Sequence, residues 1–464
     1  MNYTFTHIPQ SVKKINTKYR QIVTKIPTPQ SIKILKEIYK KEIRSMHGQL
    51  PIVWNKAKGF QVYDKWGNKW IDFSSTIFVA NSGHGNRKII ESMKKLLDKP
   101  LLHTYNYASE ERKKYLNYLI KKTPKNFEKA YLLSSGTEAT EASLKLMRLH
   151  GKRNNKKKLK VIAFDGNWHG RTLGSQFLSG KKNEKNWIGY HDPNIVHLPF
   201  PYPWLNEVKK SPKKFFQNSL KKLFLRKKIN PKLDVCGFMI ETFQGWGALF
   251  YPKEFIKELV KFSKKNNILV TFDEIQAGFG RTGELFGYMH YGVQPDIICC
   301  GKGSSSSLPL SIVLGKRNIM DIPEVGSMSS THSANPLACL AGYENLNFIL
   351  KNKLITNSRN LGNILHKNLK LISNKYSSIN ISVHGKGLLA SLIFKDKSNK
   401  PLSKLCSKIS ELCFQKGLIL VHTGRESIKI GPPLIINKSA LKEGIKVIDE
   451  SILEAINEFN LNVK

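Results

Sequence analysis

The sequence predicts an α/β protein, with a large mixed but mostly parallel sheet covered by helices and then a smaller α+β domain. Three observations predict it. From about residue 129, short apolar runs alternate with amphipathic helical stretches, the rhythm of βαβ units. Runs such as Ile297–Cys300 are apolar throughout, as strands covered on both faces are. After Pro336 the rhythm changes to a long helical stretch followed by shorter strands.

Taken in order, residues 31–43 read as a helix in a segment that precedes Pro51. Residues 59–73 (GFQVYDKWGNKWIDF) alternate apolar and polar side chains around an Asp-Lys-Trp-Gly-Asn turn, a β-hairpin pattern. Residues 129–133 read as a strand and 137–149 as a helix, with Ala139, Ala142, Leu146 and Leu149 on one face. Further strands are expected at 161–164, 235–240, 269–272, 297–300 and 311–314. The helix at 253–265 is entered through Pro252, which suits a first turn. Residues 382–394 and 428–433 read as the shorter strands of the last domain. The expected organisation is an extension at 1–50, the first part of a small domain at 51–85, a large α/β domain at 86–336 and a small α+β domain at 337–464.

With 464 residues, 40% apolar and 10% aromatic, the chain can bury a large core. No run approaches the roughly 18 apolar residues of a membrane-spanning helix. The first 16 residues lack an apolar h-region, and their Lys-rich bias continues along the chain, so neither a secretory signal nor a transit peptide is read there. Six cysteines (Cys236, Cys299, Cys300, Cys339, Cys406, Cys413) show no CxxC spacing and no His/Cys cluster has zinc-ligand spacing. They read as small buried side chains in a reducing compartment, which points to the cytoplasm. The net charge of +42 admits a polyanion-binding reading. Its basic runs, at 156–158, 209–214 and 221–228, are scattered and carry no interleaved aromatic stacking motif and no recognisable reading helix, so we read them as compositional bias and do not expect nucleic acid as a partner.

Four segments carry chemistry. Ser134-Ser135-Gly136-Thr137-Glu138-Ala139 lies between a strand and a helix, where small residues let backbone N–H groups and hydroxyls close around a phosphate. Alone it would read as an ordinary N-cap. Asn167-Trp168-His169-Gly170-Arg171-Thr172 places an aromatic ring after a strand, where it can stack on a flat cofactor or simply fill the core. In the segment from Val270 to Gly283, Asp273 follows an apolar strand and precedes a Gly-rich loop, a site position in open α/β sheets. An acid there can hold a pyridinium nitrogen protonated and make the ring an electron sink, or merely cap the next turn. In Pro295 to Gly303, Lys302 follows a buried strand between two glycines, where its amine is desolvated and kept free to form a Schiff base.

The ordered set SGTEA, HGRT, DEIQAGFGRTG and PDIICCGK resembles the class III aminotransferases, among them the ornithine, acetylornithine and 4-aminobutyrate enzymes, from about Pro51 onward. The resemblance implies a fold-type-I homodimer that binds pyridoxal 5'-phosphate in the large domain, with active sites at the subunit interface. It implies Lys302 as the Schiff-base lysine and proton-transfer base, Asp273 at the pyridinium nitrogen, and Gln276 near the phenolic oxygen. Trp168 would stack on the ring, Ser135, Gly136 and Thr137 would cradle the phosphate, and Thr331 would reach the partner subunit's phosphate. Arg171 matches a position that can hold a substrate carboxylate, and Ile77 and Glu241 complete the expected substrate side.

Two departures bear on substrate. In Ile240-Glu241-Thr242-Phe243-Gln244-Gly245-Trp246, Trp246 replaces a Glu of the resembled family, and Lys429 replaces the Arg that usually binds an α-carboxylate. In the family this Glu neutralises this Arg when a substrate lacks a carboxylate, so their joint loss is coherent, and an ammonium does not reproduce a guanidinium fork. Either Lys429 or nearby Arg425 binds the acceptor acid, or the amino donor lacks an α-carboxylate. The expected reaction is ping-pong transfer from a primary amine or amino acid to an oxo acid. An aminomutase, or an inactive fold that binds polyanions, is the alternative.

Overall fold

The computed structural model describes residues 3–461. Its strands, in chain order, are β1 (Ile15–Asn16), β2 (Gln21–Ile22), β3 (Lys56–Lys58), β4 (Gln61–Tyr63), β5 (Lys69–Asp72), β6 (Lys129–Leu133), β7 (Lys160–Phe164), β8 (Ile195–Leu198), β9 (Val235–Glu241), β10 (Phe243–Gln244), β11 (Leu249–Phe250), β12 (Leu269–Asp273), β13 (Ile297–Cys300), β14 (Ser311–Gly315), β15 (Asn380–Lys386), β16 (Leu389–Lys395), β17 (Leu418–Ile419), β18 (Val421–His422) and β19 (Ser427–Ile430).

The central sheet has seven strands in the order β6-β14-β13-β12-β9-β7-β8. The pairs from β13 through β12, β9 and β7 to β8 are parallel, while β14 runs antiparallel to β13 and to β6. Residues of β7, β9, β12, β13 and β14 are buried along their whole length, which explains why they read as unbroken apolar runs. The helix Gly136–Arg153 packs across this sheet with Ala139, Ala142, Leu146 and Met147 inward. The helix Lys253–Lys265 starts after Pro252, as expected.

The 59–73 hairpin forms as β4 and β5, paired Tyr63 to Lys69 around the five-residue turn. Asp64 holds that turn by accepting from the Trp66 and Asn68 N–H groups. The residues before Pro51 do more than cover a surface. Their strands β1 and β2 extend the same sheet through β5, and β17 pairs in parallel with β5 from far along the chain. The helix expected at 31–43 runs Pro29–Tyr39, with Thr28 accepting from the Ser31 N–H at its start.

One element differs from expectation. Residues 382–394 form not one strand but an antiparallel hairpin, β15 with β16, turning at Gly387, whose φ of 58° suits glycine. Every residue of β16 but the last is buried, so no alternation marked where the first strand stopped. With β19 and β18 these strands make a four-stranded sheet, against which the helices Leu354–Lys375 and Ser403–Gln415 pack, while Lys438–Glu458 packs on those two helices. Among the described residues no helix is long and apolar enough to cross a membrane.

Candidate active site

Parallel strands deliver their carboxyl ends to one edge of the sheet, and the polar residues that follow them collect there. Asp273 ends β12 and pairs in register with Glu241 of β9 and Cys299 of β13. Asp273 is 6% exposed, and its two oxygens are spent separately. Oδ1 accepts from the Ile275 N–H at 3.0 Å, and Oδ2 lies 2.9 Å from His169 Nδ1. A carboxylate only accepts, so Nδ1 carries the proton of this imidazole. The ring's other nitrogen, Nε2, is buried and finds no protein partner among the described residues.

Glu241 stands beside Asp273 and accepts from the N–H groups of Trp168, at 3.0 Å, and Gly245, at 3.4 Å. Burial, and then the neighbouring Asp273 carboxylate, push its carboxyl up to about 8 despite those donors and Lys429. Lys302 follows β13 with a φ of 40°, a left-handed conformation that a non-glycine residue adopts at a cost. Burial lowers the pKa of its amine, while Asp273 and Glu241 oppose that shift.

These groups line one cavity of about 160 Å³, together with Gly136, Thr137, Trp168, His169 and Gln276. At one end Ser135 caps the helix Gly136–Arg153 in a capping box with Glu138. Glu138 takes the N–H groups of Ser134 and Ser135, so Gly136 and Thr137 supply the N–H groups left for an anion. A β-carbon at Gly136 would stand 3.0 Å from Ile275 Cδ1, so a side chain there would crowd the cavity. Trp168 is half-buried, and the Arg171 guanidinium lies over its ring, 4.5 Å from the centroid.

The substrate-side candidates divide. Lys429 points inward: it is 6% exposed, and its ammonium donates to Gln276 Oε1 at 3.2 Å. Arg425 instead lies over Trp246, 3.9 Å from the ring centroid, and pairs with Glu426 at 3.1 Å. Trp246 is fixed by its Nε1–H to Gln244 Oε1, at 2.6 Å, and by Ser427 Oγ donating to its carbonyl, at 2.8 Å. Ile77 is exposed and sits outside the cavity on an unusual turn. Thr331 also lies outside the cavity, in a neighbouring groove with Ser134 and Glu138, and its carbonyl accepts from His103 Nε2.

The turn carrying Ile77 was not legible in the sequence. Ser75, Thr76, Ile77 and Phe78 all have positive φ, between 48° and 67°, in residues that disfavour it. Fully buried Arg281 holds the turn by donating to Ser75 Oγ and Asn81 Oδ1, while also reaching the carbonyls of Leu388 and Pro432. Sequence reasoning also gave His169 no role. Its position directly after Trp168 at a strand end was the available signal.

The residues present fit pyridoxal phosphate. A buried carboxylate held by an imidazole can meet a ring nitrogen, free helix N–H groups can meet a phosphate, and a desolvated amine opens onto the same cavity, which Trp168 also lines. A mostly parallel sheet with this lysine and this aspartate at neighbouring strand ends defines a fold-type-I, pyridoxal-phosphate-dependent transferase.

Comparison with known proteins narrows the class. Residues 43–452 match the family model described as aminotransferase class-III. An acetylornithine aminotransferase from Aquifex aeolicus is 30% identical over 406 residues, 87% of this chain and 98% of that protein. An alanine/serine racemase from Pyrococcus horikoshii is 29% identical over 465 residues, 97% of this chain and 96% of that protein. The crystal structure of an acetylornithine aminotransferase from Elizabethkingia anophelis superposes with a TM-score of 0.75 at 27% identity, over 91% of this chain and 99% of that one. The chain belongs to the class-III aminotransferase family, and its cofactor is pyridoxal phosphate.

Proposed function

We propose that the protein transfers an amino group from a primary amine or amino acid to an oxo acid in two half-reactions, with Lys302 as the cofactor-bearing and proton-moving residue. The observation that carries this reading is the desolvated Lys302 amine opening onto the same cavity as the His169-bound Asp273. When bound, pyridoxal phosphate would supply an aldehyde that can link to an amine and a ring that draws electrons from the carbon losing its proton.

The chain's own residues do the rest. Asp273, fixed by His169 and the Ile275 N–H, keeps a proton on the ring nitrogen. Trp168 covers a ring face and Gln276 meets the phenolic oxygen. The helix start at Ser135, Gly136 and Thr137 holds the phosphate. When free, the Lys302 amine would move the proton from the substrate's amino-bearing carbon to the carbon on the other side of the nitrogen, a task that its lowered pKa suits. Exposed Arg171 and half-buried Arg425, the latter paired with Glu426, offer guanidinium groups to an incoming acid at the aromatic rim.

Two copies share their sites in this reading. Thr331, outside its own chain's cavity, reaches the partner subunit's phosphate, and the exposed apolar Leu102, Tyr105, Tyr107 and Val325 lie in the covered face. The six free, buried cysteines suit a reducing cytoplasm.

The test is the visible spectrum of the purified protein, wild type beside Lys302→Ala, with a panel of amines. A band in the wild type that bleaches with one amine and recovers with an oxo acid supports transamination and identifies both substrates. A band unchanged in K302A sinks the lysine assignment, and turnover needing no separate oxo acid replaces transamination by an intramolecular reaction.

A further inference from the structure

Lys429 stands in the middle of β19 in the four-stranded sheet, opposite Ser391 of β16 and Val421 of β18. Its ammonium donates to Gln276 Oε1 at 3.2 Å and lies 4.8 Å from the centroid of the Phe78 ring. Among the described residues it makes no ion pair. A buried ammonium held by one neutral acceptor and one ring face recovers little of its lost hydration. Two charged groups face it, Lys302, which repels, and Glu241, which attracts. Burial, and then Lys302, push Lys429 down to about 7.

The single hydrogen bond falls on a group with two unlike ends. Gln276 lines the cavity, and an amide offers an accepting oxygen on one side and donating N–H groups on the other. With Oε1 turned to Lys429, Nε2 faces the space over Gly245. A β-carbon there would stand 2.6 Å from Nε2 and 3.0 Å from Glu241 Oε1. A protonated ammonium donates and never accepts, so it selects this amide orientation over its reverse. Phe78 closes another side of Lys429 and is itself wedged over Gly431, where an added β-carbon would meet its ring at 2.2 Å.

We infer that Lys429 is a positioning residue for amino transfer: it holds the Gln276 amide with its N–H end toward the cofactor, and it does not itself seat the substrate's carboxylate. The inference rests on the reading above, in which the phenolic oxygen meets Gln276. An N–H aimed at that oxygen favours its anionic form, whereas a reversed amide would set two oxygens against each other.

The test is a pH titration of the visible band of substrate-free holoenzyme, for wild type, K429R, K429M, Q276A and K429M/Q276A. Replacing the buried ammonium by an unbranched apolar side chain of similar length keeps the fold, and K429R supplies a second variant that retains a donor. K429M and Q276A are each expected to move the midpoint by about half to one pH unit, the effect of one hydrogen bond. The double variant should move it no further than either single one, and K429R should stay near wild type. In K429M, kcat should fall about tenfold while KM for acid substrates changes by less than about threefold. Additive shifts would make Lys429 a through-space charge on Lys302 and overturn the inference. An unmoved midpoint with KM for acids raised about tenfold or more would overturn it too, and make Lys429 the carboxylate seat. A wild-type protein without any visible band would sink the cofactor reading first, an outcome told apart by its lack of colour.

Discussion

His169→Phe isolates the contribution of the Asp273–His169 pair. Phenylalanine keeps a flat ring in the same buried place and removes the Nδ1 donor. Asp273 then holds one protein hydrogen bond, from the Ile275 N–H at 3.0 Å, in place of two. The pair is almost fully buried, with side-chain exposures of 0% and 5%, so water cannot replace the lost donor. A hydrogen bond to a charged group contributes about 1.5–3 kcal/mol, and leaving the carboxylate short by one costs a similar amount. That free energy corresponds to a factor of about 10–150. It should appear in two places, weaker cofactor retention and a slower donor half-reaction, because Asp273 serves the same ring nitrogen in both. The assay is reconstitution of stripped enzyme with graded cofactor, followed by single-turnover bleaching of the band with a reactive amine. H169N, which keeps a side-chain N–H, should recover part of the loss. If H169F binds cofactor and bleaches within about twofold of wild type, the pair does not support the site and the reasoning fails.

Four further outcomes follow from the same geometry. Glu241 has a folded pKa of about 8, above its value in the unfolded chain, so the native state binds the extra proton and stability falls as pH rises from about 4.5 to 8. E241Q should abolish that decline in urea melts. Lys429 has the opposite sign: with a folded pKa of about 7, it lowers stability most where both states are protonated, below pH 7, and the loss is recovered as pH rises toward 10.5. K429M should therefore stabilise the protein by roughly 2–5 kcal/mol at pH 6 and by little near pH 10.5, measured by the same melts. R281M leaves the acceptors of Ser75, Asn81, Leu388 and Pro432 without their donor, and should cost about 3–5 kcal/mol in thermal or urea unfolding. R425A removes a guanidinium from the rim but touches no group lining the cavity. It should raise KM for the oxo acid by about tenfold with kcat within about twofold.

What sequence could reveal followed from how each feature is encoded. Lys302 and Asp273 were legible because each stands at the carboxyl end of a continuously buried strand, and in a parallel sheet that position faces the site. The 59–73 hairpin was legible because its turn residues bond to one another, Asp64 with Asn68, within five positions. The boundary between β15 and β16 was not, since a strand buried on both faces gives no alternation to interrupt.

Sequence by itself determined the α/β class, the strand ends that carry chemistry and the family resemblance, all of them properties of near neighbours along the chain. Tertiary structure alone decided three things: that His169 holds Asp273 across 104 positions, that Lys429 turns its charge to Gln276 across 153, and that Arg281 sustains a left-handed turn no residue within it favours. The physical reason is that backbone propensity and hydrophobic period act over a few residues. The partner of a buried charge is chosen by which surfaces the packed sheets bring within about 3 Å of it.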